Sequence, residues 1–169
     1  MAKSKYIKKI TDKDRAVLDM SNSCGWFTAQ QAKDAFNMRS DRLNQLTKSG
    51  YLEKTRDVST NVTAYKIADK AKNYYEHSYT ATSVSHDREL SAYYINNKSD
   101  ENEIVAGTTY CYMNQLDSKG APDIVVVKTE TREVVGVEVI TINYRADDIQ
   151  TKVDWSEQKN INVEYIKNY

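Results

Sequence analysis

Hydrophobic and polar positions along the chain fall into two blocks with different rhythms. In the first, Ala16, Val17, Leu18 and Met20 recur at helical spacing behind Thr11-Asp12-Lys13-Asp14. That leading tetrad has the serine/threonine-x-x-acid form of a capping box, so a helix is expected here, giving way to a turn at Ser21-Asn22-Ser23. Gly25-Trp26-Phe27 leads to a second cap, Thr28-Ala29-Gln30-Gln31, and Ala32, Ala35 and Phe36 continue it as a short helix. A third helix is expected over residues 39–49, with Leu43 and Leu46 inward and Gly50 as its stop. The period then changes. Residues 51–56 read as a strand, 57–61 as a turn and 62–67 as a returning strand, closed by a helix from 68 to about 77.

The second block starts after a polar stretch rich in Ser and Thr, residues 78–85, which reads as a linker. The pattern therefore divides the chain into domains at 1–79 and 80–169. Residues 86–96 form a helical pattern with His86, Leu90, Tyr93 and Tyr94 on one face, and 97–103 a charged loop. Residues 104–116 mix Tyr, Thr and Val, which suits one or two strands. After a turn at 117–120, the only proline, Pro122, introduces a strand over 121–127. Residues 134–142 are apolar on both faces, as expected of a central strand covered by helices. A helix over 147–158, with Ile149 and Val153 inward, and a strand over 161–166 complete the order α, β, β, β, α, β. The fold class expected overall is α+β, with an α/β sheet in the second domain.

Helix, helix, helix, hairpin, helix is the order of a winged helix-turn-helix. Leu46-Thr47-Lys48-Ser49-Gly50-Tyr51-Leu52, followed by a hairpin ending in Ala64-Tyr65-Lys66-Ile67-Ala68, resembles that superfamily, which is common among bacterial regulators. The resemblance implies duplex DNA binding through the third helix. Charge points the same way. The chain is neutral overall, yet residues 1–56 carry 12 basic and 6 acidic side chains and residues 80–169 carry 9 basic and 15 acidic ones. A polyanion is attracted to the first third and repelled by the last half. With Leu43 and Leu46 inward, Arg39, Ser40, Arg42, Gln45 and Lys48 are expected on the outer surface, where cations reach phosphates or guanine and amides pair with adenine. Lys54 and Arg56 on the hairpin, with Thr60 and Asn61 at its tip, are candidates for the flanking backbone or minor groove. Thr28, Gln30 and Gln31 stand at a helix N-terminus, whose free amides favour a phosphate. The competing reading is a solvated helix face in a protein–protein module.

Glu138 is a lone carboxylate within the apolar central strand, and burying it unpaired costs several kcal/mol or holds it protonated. Asp123, at the start of the neighbouring strand, lies beside it if the two strands pair. Two such acids suit a shared divalent metal or a hydrogen-bond network. The structural alternative is a turn-capping Asp123 and a Glu138 whose head reaches solvent at the sheet end. His86 is open to three roles, base, ligand or packing, and beside Leu90 a satisfied core histidine is favoured. The 13 tyrosines are assigned to packing rather than base stacking.

Pro122-Asp123 followed by Glu138 on the next strand resembles the PD-(D/E)xK nuclease superfamily. The resemblance implies that the two acids hold Mg²⁺ or Mn²⁺ and that a lysine two residues after the second acid positions the attacking water. Ile140 occupies that place here; Lys152 on the following helix is the candidate for a relocated lysine, and Glu89 stands where a further acid often occurs. A second resemblance covers most of the chain. A basic winged helix, His86-Asp87-Arg88-Glu89-Leu90, Pro122-Asp123, Glu138, and Lys152 three residues before Trp155 are similar in order to the replication-relaxation family of plasmids and mobile elements. That implies a degenerate nuclease-like second domain and a role in mobile-element DNA processing.

Three functions follow as expectations. The first is a sequence-directed double-stranded DNA-binding accessory or regulatory protein of a plasmid, phage or conjugative element, needing no cofactor and working as a homodimer. Its second domain then serves dimerisation or contact with a protein partner. The second is a metal-dependent endonuclease guided by the winged helix, and the third an inhibitor that binds a host defence complex. No apolar run approaches the roughly 20 residues of a membrane span, and no phosphate loop, dinucleotide fingerprint or Ser/His/Asp set is present. Cys24 and Cys111, far apart and outside any CxxC, suit reduced buried thiols in a cytoplasmic protein.

Overall fold

The computed structural model describes Ile7 and residues 9–168 as a mixed α+β fold with seven helices and two sheets. Thr11 caps helix α1 (Asp12–Cys24) through a reciprocal box with Asp14. The helix continues through Ser21-Asn22-Ser23 instead of turning there, because Ser21, Ser23 and Cys24 are buried. The Ser21 hydroxyl donates to Gly25 O at 2.9 Å and accepts Ile67 N–H at 2.7 Å, so those serines satisfy buried backbone groups.

Gly25 ends α1 at φ 82° and ψ −122°, a conformation that requires glycine, and the chain enters the short strand β1 (Phe27–Thr28). Helices α2 (Ala29–Phe36) and α3 (Ser40–Lys48) follow, then the hairpin of β2 (Leu52–Asp57) and β3 (Val62–Ile67). These strands form an antiparallel sheet in the order β1-β3-β2. The closing helix is far shorter than expected. Helix α4 spans Asp69–Lys72, and the chain then unwinds so that Tyr75 Oη donates to Asp19 at 2.6 Å and Tyr79 N–H reaches Asn22 O at 2.9 Å.

The second half begins with α5 (Val84–Asn97), capped by Ser83, and β4 (Asn102–Ala106). Residues 107–113 are helix α6 (Gly107–Met113), not the second strand that their Thr and Tyr content suggests. Tertiary packing decides this: Cys111 is fully buried against Trp155, and a side chain at position 107 would strike Pro122 O at 1.8 Å. Strands β5 (Ile124–Lys128) and β6 (Val134–Thr141), helix α7 (Ala146–Lys159) and strand β7 (Asn162–Asn168) complete the chain. The sheet order is β4-β5-β6-β7, antiparallel except for the β6/β7 pair, whose parallel pairing is made by the α7 crossover.

One hydrophobic core crosses the expected boundary at residue 79. It joins Val17, Leu18, Phe27 and Leu46 to Leu90, Ile104, Val126, Val137 and Val139. Within residues 78–85 Tyr79 N–H is bonded to Asn22 O and Thr82 N–H to Asp87, while Thr80, Thr82, Ser83 and Ser85 are exposed; α1 lies against both α5 and β4. Both cysteines are free and buried. Among the described residues no helix is long and apolar enough to cross a membrane.

Candidate nucleic-acid interface and a buried acid cluster

Leu43 and Leu46 hold α3 to the core, so Asp41, Asn44, Gln45 and Lys48 fall on the face turned away from it. Arg39, Ser40, Asp41 and Lys48 are exposed, and Arg39 makes only a loose 3.8 Å pair with Asp41. On the hairpin Lys54, Arg56, Thr60 and Asn61 are exposed, and Arg56 Nε donates to Asn61 Oδ1 at 2.7 Å. The third helix and the hairpin thus carry four exposed cations, Arg39, Lys48, Lys54 and Arg56.

Other expected contacts are taken up inside the protein. Arg42 is not displayed: its Nε donates to Asp14 Oδ1 at 2.9 Å and a second N–H to Asp14 Oδ2. The Asp14 side chain is completely buried, so the pair holds the Arg42 guanidinium against the protein. Burial opposes ionisation of Asp14, but the Arg42 guanidinium and the Thr11 groups outweigh it and hold the carboxyl below its usual range. Arg42 Nη1 also donates to Gln45 Oε1 at 3.2 Å, which leaves the Gln45 amide N–H pair as its outward group. Thr28 is buried and serves as the cap of α2. Gln31 accepts Thr28 N–H at 2.9 Å and donates to Arg88 O at 2.9 Å, so it faces α5 instead of a phosphate. Gln30 stays exposed and donates to Asp34. Asn44 was not singled out from the sequence; its place between Asp41 and Lys48 on the outward face was the available signal.

The acid pair forms as the strand pattern requires. Register places Ile124 opposite Val137, so Asp123 and Glu138 come together where β5 begins and β6 nears its end. Asp123 N–H donates to Glu138 Oε2 at 2.9 Å, and Val139 N–H donates to Asp123 Oδ2 at 2.9 Å. The head of Glu138 does not reach solvent: the residue is 0% exposed, because Tyr144 and α7 cover it. Lys152 Nζ lies 3.0 Å from Glu138 Oε2 and donates to Ala121 O at 2.6 Å, while the Tyr144 hydroxyl donates to Glu138 Oε1. Burial and the neighbouring Asp123 raise the Glu138 pKa, against the lowering effect of Lys152 and Tyr144. Glu89 is half-buried and makes no hydrogen bond or ion pair with this cluster among the described residues.

His86 and Asp87 extend the cluster toward the first half. His86 Nε2 is 3.2 Å from Asp123 Oδ2, and His86 Nδ1 is 2.9 Å from Asp87 Oδ1. Burial works to lower the His86 pKa, but the two flanking carboxylates prevail and push it up to about 10. Asp87 is fully buried and accepts Trp26 N–H at 3.2 Å, Thr82 N–H at 3.1 Å and the Tyr79 hydroxyl at 3.3 Å. The histidine is buried and fully bonded, in keeping with a core role. Asp87 and Tyr144 escaped sequence reasoning. Asp87 sits one residue from His86 in a helix, and only the long-range approach of Trp26 reveals its part.

As a divalent metal centre the cluster is a poor fit. Among the described residues no three His, Cys, Asp or Glu side chains are placed to hold an ion, and protein donors already fill both Glu138 oxygens and one of Asp123. No protein-family model, no curated protein and no solved structure matches this chain.

Proposed function

We propose that this chain is a sequence-directed double-stranded DNA-binding protein that acts as an accessory or regulatory factor on a mobile element. The carrying observation is the exposure of Arg39, Lys48, Lys54 and Arg56 on α3, its N-cap and the β2–β3 hairpin, elements that pack against each other in the basic part of the chain. In this reading residues 1–79 are a winged helix-turn-helix. Asn44 and Gln45 meet base edges in the major groove, and the cations meet phosphates. Residues 80–169 are a PD-(D/E)xK-like scaffold that packs on the first half and does no cleavage. The protein works as a two-fold dimer on a palindromic site, as helix-turn-helix regulators commonly do.

Fluorescence anisotropy with a labelled duplex tests the reading. Affinity falls steeply with added salt as phosphate contacts release counterions. The triple variant Lys48→Ala, Lys54→Ala, Arg56→Ala loses affinity by at least tenfold and flattens the salt slope by up to about 3. Unchanged affinity and slope in that variant, with the fold intact, would refute the interface. Incubation with supercoiled plasmid and Mn²⁺ addresses the endonuclease alternative: nicking that disappears in Glu138→Ala would replace the binding reading with the enzyme.

A further inference from the structure

We propose that Lys152 is the resident cation of the acid pair: its ammonium fills the place a divalent metal would need. The inference follows from a count of oxygen partners and is independent of the DNA reading. Glu138 Oε1 receives the Tyr144 hydroxyl, and Glu138 Oε2 receives Asp123 N–H at 2.9 Å and lies 3.0 Å from Lys152 Nζ. Asp123 Oδ2 receives Val139 N–H at 2.9 Å and sits 3.2 Å from His86 Nε2. Asp123 Oδ1 is the one carboxylate oxygen of the pair with no protein donor among the described residues. Mg²⁺ requires about six oxygens near 2.0–2.1 Å, and one free oxygen beside a fixed ammonium cannot meet that demand.

The surroundings of the ammonium are those of a bound cation. Its two nearest partners are a buried carboxylate oxygen and a main-chain carbonyl, Ala121 O at 2.6 Å, and Lys152 itself is 19% exposed. Hard divalent ions take the same ligand types. A tethered cation gives up rotamer freedom but none of the translational freedom that a free ion loses, and a chelator cannot remove it, so the pair stays compensated without any metal. A divalent ion entering the wild-type protein would have to displace an ammonium held by its own helix, against the like charge. With the ammonium gone, Glu138 Oε2 and Ala121 O lose the cation they share.

Thermal melting of the full chain with and without millimolar Mn²⁺ tests this in three proteins. The wild type shows no shift with Mn²⁺, and Lys152→Arg, which keeps a cation there, shows none either. Lys152→Met melts lower than both by several degrees, since it leaves the buried Glu138 carboxylate uncompensated, and Mn²⁺ does not restore it. A Lys152→Met protein that melts like wild type, or a wild type whose melting temperature rises with Mn²⁺, would overturn the proposal. Should Lys152→Met fail to fold, titration calorimetry of Mn²⁺ into wild type decides: no heat of binding supports the resident ammonium. One equivalent bound in wild type and lost in Glu138→Gln overturns it.

Discussion

Gly25→Ala probes the joint between the two halves more sharply than any core truncation. Gly25 has φ 82° and ψ −122°, and holding an alanine there costs about 1–3 kcal/mol in backbone strain. A Cβ would also stand 2.2 Å from Asp87 Oδ2 and 2.8 Å from its Cγ, so the carboxylate must move. That carboxylate is fully buried and holds Trp26 N–H, Thr82 N–H, the Tyr79 hydroxyl and His86 Nδ1. Losing even one such charged hydrogen bond costs about 1–3 kcal/mol, which brings the expected total to about 4 kcal/mol. For a chain of this length that corresponds to a fall in Tm of roughly 8–16 °C. Gly50→Ala is the control. Gly50 also has positive φ, 77°, but its nearest non-neighbour is Lys70 Cδ at 3.6 Å, so only the backbone term of about 1 kcal/mol applies. Calorimetry should show one transition for both variants, because the core is shared, with the larger shift for Gly25→Ala. Equal shifts in the two variants would refute the role given to Asp87, and two separate transitions would refute the common core.

Arg42→Ala leaves Asp14 buried without its guanidinium and is expected to destabilise the chain by about 2–4 kcal/mol in chemical denaturation. Arg42→Lys restores little of this, since it cannot make the two-point contact with both Asp14 oxygens. A loss under about 1 kcal/mol for Arg42→Ala would show the pair to be ornamental. The His86 pKa stands at about 10 in the folded chain against 6.5 unperturbed, so protonated His86 adds stability that is complete below 6.5. That contribution is lost as pH rises through about 10, and wild-type Tm should decline more across this window than the Tm of His86→Asn. Parallel declines in the two proteins would remove His86 as the titrating group.

What the sequence disclosed followed local rules. Capping boxes at Thr11 and Thr28, the stop at Gly50 and the change of period at residue 51 mark the first three helices and the hairpin within a few residues of where they lie. Glu138 was conspicuous because an acid interrupts an apolar strand, and strand order alone brought Asp123 to it. The misses have a common physical origin in long-range contacts. Arg42 reads as an exposed groove-facing cation until Asp14, 28 residues earlier, is found beneath it. Residues 107–113 have strand-forming composition, and only the buried Cys111 and the Pro122 carbonyl against Gly107 make them helical. Likewise, polarity made residues 78–85 look like a free linker, yet Asp87 and Asn22 tie Thr82 and Tyr79 down.

On the proposed reading, duplex DNA meets the outward face of α3 and the β2–β3 hairpin. Amide chemical-shift mapping of the labelled full chain with an unlabelled duplex tests it most directly. The largest changes are expected at Ser40, Asn44, Gln45, Lys48, Lys54, Arg56 and Asn61, with the β4–β7 sheet largely silent. Changes concentrated around Asp123, Glu138 and Lys152 instead, or no changes at low salt, would contradict it.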